Sequence, residues 1–289
     1  MIGIAAATGY LGNNLYSAFV REDYEVMGTY NSSFSKNDGL VHFNLLQADY
    51  RVFPKLSHLI ISTLPYRKLD EYAEHYEEAY DTCVTGVKKL IDYCVGQGIV
   101  PIYLSSDVVF DGEKGNYSEE DKLHALNHYG AMKVKVEEYL RDSCPLHLIL
   151  RMGRVFGIAE GDETVLTLTY HELVNGKNIK YIDDMHFSPM FIDDIYIAIK
   201  TCIDQKKSGT FHLASIFSTS RREIAQSIVE YFKLDCEVKS IHLNEIQFRE
   251  KRPRNCTLNT SKAKKELGMK LHDLKYYLQK MQQNSGVIN

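Results

Sequence analysis

The sequence predicts an α/β chain: a Rossmann-type doubly wound parallel sheet with a smaller C-terminal α/β substrate-binding domain. Three observations carry this expectation. Short apolar runs recur at residues 2 to 6, 24 to 30, 58 to 63, 100 to 105 and 146 to 150, with helical patterns between them. Such alternation builds a parallel sheet. The first run passes through glycines directly into a helix, in MIGIAAATGYLGNNLYSAFV. Beyond Gly157 the alternation loosens, as expected where a second unit takes over. The expected division is residues 1–157 for a dinucleotide-binding domain, completed by parts of 190–215, and 158–289 mainly for a substrate-binding domain.

The glycine turn after the first strand is a dinucleotide-binding opening. Glycine lets the backbone approach a pyrophosphate, and a helix N-terminus offers it unpaired N–H groups and a positive dipole end. Gly9 and Gly12 fit the second and third glycines of G-x-x-G-x-x-G, whereas Ala6 stands in the first place. An added methyl there either crowds the cofactor or shifts the loop. Ala6, Thr8, Gly9, Tyr10, Leu11 and Gly12 are the expected cofactor contacts of this turn. The second strand ends in YEVMGTYNSS without an acidic residue. A carboxylate at that point binds the ribose hydroxyls of NAD and repels the extra phosphate of NADP, while Tyr30, Asn31, Ser32 and Ser33 are neutral donors. NADP(H) is therefore preferred and NAD(H) remains possible. Lys36 either reaches that phosphate or is simply solvated.

The longest helix is expected over about Asp70 to Gln97, where apolar residues fall at three- and four-residue steps and stop at glycines. The strand VPIYL then ends in Ser105 and Ser106, and a later helix carries Tyr129 and Lys133 in HYGAMKVKVEEYL. A four-residue helical step sets the Lys133 ammonium and the Tyr129 phenol on one face. A neighbouring cation favours the ionised phenol, and lowering its pKa by roughly three units takes about 4 kcal/mol. With Ser106 to hold a carbonyl oxygen, the trio reads as a hydride-transfer site. The same spacing recurs at Tyr196/Lys200 and Tyr276/Lys280, so it is the setting after a strand that singles out the first pair. The alternative is a surface helix whose tyrosine packs on lysine methylenes. Further helices are expected near Glu163 to Asn175, Asp193 to Ile203 and Ser220 to Phe232, a strand at Thr210 to Leu213, and a final amphipathic helix in LHDLKYYLQKMQQN.

Composition narrows the function classes. Of 289 residues, 44% are apolar and 25% charged, with a net charge of −4 and no basic stripe; this is a globular composition that gives no reason to expect nucleic acid. No apolar run approaches the roughly 18 residues of a membrane helix, and the first strand begins at once, so a cytoplasmic location is expected. Six cysteines without C-x-x-C or metal spacing are expected as reduced thiols, with no metal site.

With these residues in hand, the chain resembles the extended short-chain dehydrogenase/reductase superfamily and, within it, the dTDP-4-dehydrorhamnose reductase family. The marks are ATGYLG, SSDVVFDG, YSEED followed by NHYGAMKVKVE, LILRMGRVFG, DDMHFSPMFIDDI, GTFHLA and RPRNCTLNTSKAKKELG, in the family's order. The resemblance implies NAD(P)H-dependent reduction of a keto group on a nucleotide-linked deoxysugar. It gives Tyr129 the role of general acid, Lys133 that of tuning the phenol and holding the nicotinamide ribose, and Ser106 that of steadying the carbonyl oxygen. It places Ser62, Thr63 and Leu64 at the cofactor, and Asp107, Val108, Arg154, Ser188 and Arg252 around the substrate. Asp107 either contacts substrate hydroxyls or caps a turn. Arg252 either binds the diphosphate or belongs to a solvated cluster with Arg249, Lys251 and Arg254, and Pro189 either borders the pocket or serves folding.

The chain departs from the family at several points. Cys83 stands where asparagine is usual, Arg154 for tryptophan, Val108 for tyrosine, Asn44 for aspartate, and Ser62-Thr63-Leu64 for asparagine-alanine-alanine. A changed substrate pocket is implied. Two rival readings stay open: an epimerase or dehydratase with retained NAD, and a non-catalytic nucleotide-binding subunit like the regulatory subunit of methionine adenosyltransferase. A homodimer is possible on either view.

Overall fold

The computed structural model describes residues 1–31, 39–62, 66, 68–176 and 180–284. The sequence expectations for Ser32, Ser33, Lys36, Thr63 and Leu64 fall outside them. In chain order the strands are β1 (Ile2–Ala5), β2 (Val26–Tyr30), β3 (Leu40–His42), β4 (His58–Ile61), β5 (Val100–Leu104), β6 (Leu148–Met152), β7 (Val155–Phe156), β8 (Lys180–Ile182), β9 (Met190–Phe191), β10 (Gly209–Leu213) and β11 (Lys239–Ile241). The helices are α1 (Tyr10–Arg21), α2 (Leu69–Glu74), α3 (Tyr76–Tyr80), α4 (Val87–Gln97), α5 (His128–Ser143), α6 (Val165–Val174), α7 (Ile192–Asp204), α8 (Arg221–Phe232), α9 (Ser261–Leu267) and α10 (Leu274–Asn284).

Seven strands form one parallel sheet in the order β10-β6-β5-β4-β1-β2-β3. β1 and β6 are buried along their whole length and β5 along all but its first residue, as both-face coverage by helices requires. One face packs on Leu15, Phe19, Ile195 and Ile199 of α1 and α7. The other packs on Val87, Leu90, Ile91, Val136 and Leu140 of α4 and α5. From β1 the strand order runs outward in both directions, so the chain reverses between β1 and β4. Ligands of such sheets bind at the carboxyl ends of the strands beside that reversal. A separate apolar cluster gathers Val165, Leu173, Ile224, Ile228, Tyr277 and Met281 of α6, α8 and α10. The strand pairs β11-β8 and β7-β9 form two further small sheets.

The expected helix over Asp70 to Gln97 is not continuous. It breaks at His75 (φ −121°, ψ 46°) between α2 and α3, and residues Asp81–Gly86 form a π-helical turn before α4. No proline or glycine announces the break. The π turn has a packing consequence: it keeps Cys83 and Val84 buried after the register has been disturbed, against the rings that precede the break. Such turns concentrate at functional sites.

Candidate functional site

At the end of β1, Ala6 takes φ +61°, a left-handed conformation that glycine enters freely and that costs an alanine about 1–2 kcal/mol. The alanine thus adopts the left-handed geometry available to a glycine. Thr29 of β2 holds it there: the Ala6 N–H donates to Thr29 Oγ1 (3.2 Å) and the Ala7 N–H to the Thr29 carbonyl (2.7 Å). Gly12 is demanded by close approach, because a Cβ there would sit 2.3 Å from the Ala6 carbonyl oxygen. Gly9 faces open space, where a Cβ would meet only that same oxygen, at 3.7 Å. It caps α1 without a side chain, so the first-turn N–H groups and the positive helix end are left to a ligand. This cradle fits a pyrophosphate.

Around it, Thr8 and Leu11 are half-buried and Tyr10 is exposed. Burial, then the Asp162 carboxylate to which it hydrogen-bonds, push the Tyr10 phenol well up. The turn is thereby tied to the segment after β7. Tyr30 is half-buried, edge-on to the His42 ring at 5.4 Å, Asn31 is exposed, and Ser62 is half-buried just past β4. Asn44 caps a short 3-10 turn, accepting from the Leu46 N–H at 2.9 Å.

The trio converges past the end of β5. Lys133 is 2% exposed; its Nζ donates to the Leu104 carbonyl (2.9 Å) and lies 4.7 Å from the Tyr103 ring centre and 5.5 Å from that of Tyr129. Ser106 lies within hydrogen-bonding reach of the Tyr129 phenol. Its hydroxyl donates to Asp107 Oδ1 (3.0 Å) and accepts from the Val108 N–H (3.4 Å). The sequence argument expected Lys133 to pull the Tyr129 phenol toward neutrality. In the structure the opposite direction wins: burial first, then Cys83 and Asp107, raise it. The physical reason is that Lys133 shares the same dry pocket, where burial pushes its own pKa down to about 8 against the pull of Cys83 and Glu137. Tyr129 is therefore held protonated.

Asp107 is 7% exposed, and burial pushes its carboxyl up to about 6, opposed by the Ser106 hydroxyl and the Arg154 guanidinium. Arg154 is an exposed residue whose guanidinium lies 5.2 Å from the Phe187 ring centre, with Arg221 and Arg252 opposing its charge and Asp107 favouring it. Arg154 thus feels two further guanidinium groups as well as Asp107. Arg252 is also committed elsewhere, to Asp70 at 3.0 Å and to the face of Phe248 at 4.6 Å. Ser188 is buried and its Oγ accepts from the Leu258 N–H (3.2 Å), so this hydroxyl ties the C-terminal segment to the site. Val108 is half-buried in the turn that α5 packs upon.

Several contributors escaped sequence reasoning. Gly130, next to Tyr129, lets α5 approach the Val108 carbonyl, which a Cβ would meet at 2.2 Å; the glycine after the tyrosine was the available signal. Gly153 plays the same part against the Ser188 carbonyl, at 1.9 Å. Tyr72 packs its ring 4.9 Å from that of Tyr129. Arg221 opens α8, with a buried Nε that has no hydrogen-bond partner among the described residues; nothing in its local sequence marks it. The fold also gathers Asp183, Asp184 and His242, whose ligand atoms lie within 4.8 Å of one another, without any sequence spacing that would announce it.

Comparison with known proteins places this geometry in context. The family profile described as RmlD substrate binding domain matches residues 1–286. A probable low-salt glycan biosynthesis reductase, Agl14 of Haloferax volcanii, is 28% identical, with 92% of this chain and 91% of that protein covered. The β subunit of methionine adenosyltransferase 2 of Bos taurus is 26% identical, covering 90% and 80% respectively. The crystal structure of a hypothetical dTDP-4-dehydrorhamnose reductase from Sulfolobus tokodaii superposes with a TM-score of 0.81 at 28% identity, over 94% of this chain and 97% of that one.

Proposed function

Because this chain belongs to the RmlD substrate binding domain family, we propose that it is an NAD(P)H-dependent reductase of a nucleotide-linked keto-deoxysugar, with NADPH preferred. The observation that carries the reading is the meeting of Ser106, Tyr129 and Lys133 past the end of β5, at the same edge of the parallel sheet as the open turn at Gly9. A reduced nicotinamide, held at the Gly9 turn, would supply hydride to the carbonyl carbon. The protein supplies the rest. Ser106, its hydroxyl hydrogen turned from Asp107, donates a hydrogen bond to the carbonyl oxygen, and Tyr129, held protonated, gives that oxygen its proton as the C=O π electrons move onto it. Lys133, one helical turn on, stabilises the phenolate left behind. Positioned proton transfer contributes about a hundred- to ten-thousand-fold, and alignment of the two reactants supplies much of the remainder.

The diphosphate of the substrate is assigned to Arg154, Arg221 and Arg252, of which Arg221 shares its charge with Glu172 and Arg252 with Asp70. Planar guanidinium forks suit phosphate oxygens, and the unpartnered Nε of Arg221 supports this assignment. Asp107, at the foot of Ser106, is assigned to a sugar hydroxyl. The neutral end of β2 at Tyr30 and Asn31 supports NADPH over NADH.

Purified protein should oxidise NADPH, read at its absorbance, with at least one member of a panel of nucleotide-linked 4-keto-6-deoxy sugars. Tyr129→Phe should lose at least a hundredfold in kcat with cofactor binding retained. Equal rates in variant and wild type would remove Tyr129 from the chemistry. Cofactor binding without turnover on any sugar would favour a regulatory subunit, and copurifying NAD with no net NADPH consumption an epimerase.

A further inference from the structure

We propose that Glu137 is a positioning residue for the reaction, bracing the serine loop and the Tyr129/Lys133 helix at one spacing; the inference rests on the reductase reading. Glu137 is fully buried and lies one turn beyond Lys133 on α5. Its Oε1 accepts from the Ser105 hydroxyl at 2.5 Å, and Ser105 immediately precedes Ser106. One carboxylate therefore touches the neighbour of the reactive hydroxyl and stands four residues from the reactive lysine.

The brace is itself held. Arg151 of β6, 2% exposed, donates through Nε to both carboxylate oxygens at 3.1 Å and through a terminal nitrogen at 2.8 Å. Arg141 adds a bond at 3.1 Å from the next turn of α5. The remaining Arg151 nitrogen donates to the Glu119 carbonyl (3.2 Å) and to Nε2 of His212 on β10, also at 3.2 Å. With its other ring nitrogen on the Tyr117 carbonyl at 3.0 Å, His212 is assigned as donor at Nδ1 and acceptor at Nε2. Burial and Arg151 keep it neutral, with a pKa pushed down to about 3. A chain of directed bonds thus runs from β10 through β6 to α5 and the end of β5.

Stability alone gives weak reason for such an arrangement. A buried ion pair is often matched or bettered by apolar residues of the same volume. What apolar packing lacks is direction: it would let α5 slide against β5 by fractions of an ångström, where misplacement of reacting groups is costly. The carboxylate has a second effect, since it favours the charged form of Lys133 alongside Cys83 of the π turn. Around that ammonium stand Tyr103 of β5, Tyr129 and Glu137 of α5, and Cys83.

The test uses the paired variant Glu137→Leu/Arg151→Met, which removes the two buried charges together and leaves only the partly exposed Arg141 to turn to solvent, and Ser105→Ala, which cuts only the link to β5. The expected results are melting and circular dichroism close to wild type, NADPH binding within threefold, and kcat at least tenfold lower in both variants with the cofactor KM unchanged. In the paired variant, the titration midpoint of Lys133, followed by NMR of 13Cε-labelled lysine, should fall by at least half a pH unit; in Ser105→Ala it should stay. Wild-type kcat in both folded variants, or an unmoved Lys133 titration in the paired one, overturns the proposal. If the wild type reduces no sugar in the panel, the titration arm alone decides the brace, and the failure belongs to the reductase reading. Should the paired variant not fold, Ser105→Ala decides through kcat.

Discussion

Replacing Lys133 by methionine should make the ligand-free protein more stable near neutral pH while abolishing turnover. The side chain is 2% exposed, and desolvation drags its pKa from 10.5 to about 8. The sign follows from linkage. In the unfolded chain the lysine keeps its proton up to its ordinary pKa, whereas in the folded protein it begins to lose it near pH 8. Between these values the unfolded state binds more protons, so stability rises with pH across that window and the full cost is present below it. A displacement of about two and a half units corresponds to roughly 3 kcal/mol. Methionine removes that cost but leaves the Leu104 carbonyl without its donor, a loss of about 1–3 kcal/mol. The net gain near pH 7 is then on the order of 1 kcal/mol.

The pH dependence is the sharper measurement. Denaturant melts of wild type and Lys133→Met, taken from pH 7 to pH 10, should show the wild type gaining about 2 kcal/mol on the variant as the lysine discharges. Subtraction cancels groups common to both proteins, and the raised phenols of Tyr103 and Tyr129 hold their protons throughout this window. A stability difference independent of pH between 7 and 10 would refute the desolvation argument.

Three further outcomes follow from the same geometry. Ala6→Gly should stabilise the protein by about 0.5–1 kcal/mol in thermal melts, because relief of a left-handed alanine, worth about 1–2 kcal/mol, exceeds the unfolded-state entropy of glycine, about 0.4–1 kcal/mol; a destabilised variant would mean that the methyl packs usefully. Gly12→Ala should cost about 1–3 kcal/mol and weaken NADPH binding at least tenfold by calorimetry, since its Cβ would meet the Ala6 carbonyl at 2.3 Å; unchanged binding would separate this turn from the cofactor. His212, buried and neutral with its pKa pushed down to about 3, should make the protein lose about 1.5 kcal/mol between pH 6.5 and 5, as the unfolded imidazole takes up a proton. His212→Gln melts compared with wild type check this, and parallel acid profiles would contradict it.

Six of the seven strands of the parallel sheet were legible because they are short apolar runs, a local feature; β3, three residues with none buried, was not. Also legible were α6, α7, α8 and α10, whose apolar faces repeat at helical steps. The break at His75 was not legible, since no proline or glycine stands there. In the site, the residues of the trio could be named from their order after a strand, but not the direction of the Tyr129 shift. Spacing reveals a neighbouring cation and conceals the burial that outweighs it. Arg221 and Glu137 stayed hidden for a related reason: each acts through partners far off in sequence, Glu172 and Tyr181 for the first and Ser105 and Arg151 for the second.

The likeness to a methionine adenosyltransferase subunit as well as to reductases makes the energetics of the pocket informative. A subunit that only bound a nucleotide would need the cradle at Gly9 and the packed sheet, and neither involves Lys133. It would gain stability by filling position 133 with an apolar side chain and by relieving the desolvated carboxyl of Asp107, whose pKa stands near 6. Instead, a buried ammonium and a buried carboxyl lie beside two half-buried hydroxyls, and burial disfavours the charged state of the first two. Groups arranged at such cost concentrate where protons are moved. The unfavourable energy at Lys133 is therefore an argument for chemistry, and the pH-dependent melt that measures it bears on function before any substrate is in hand.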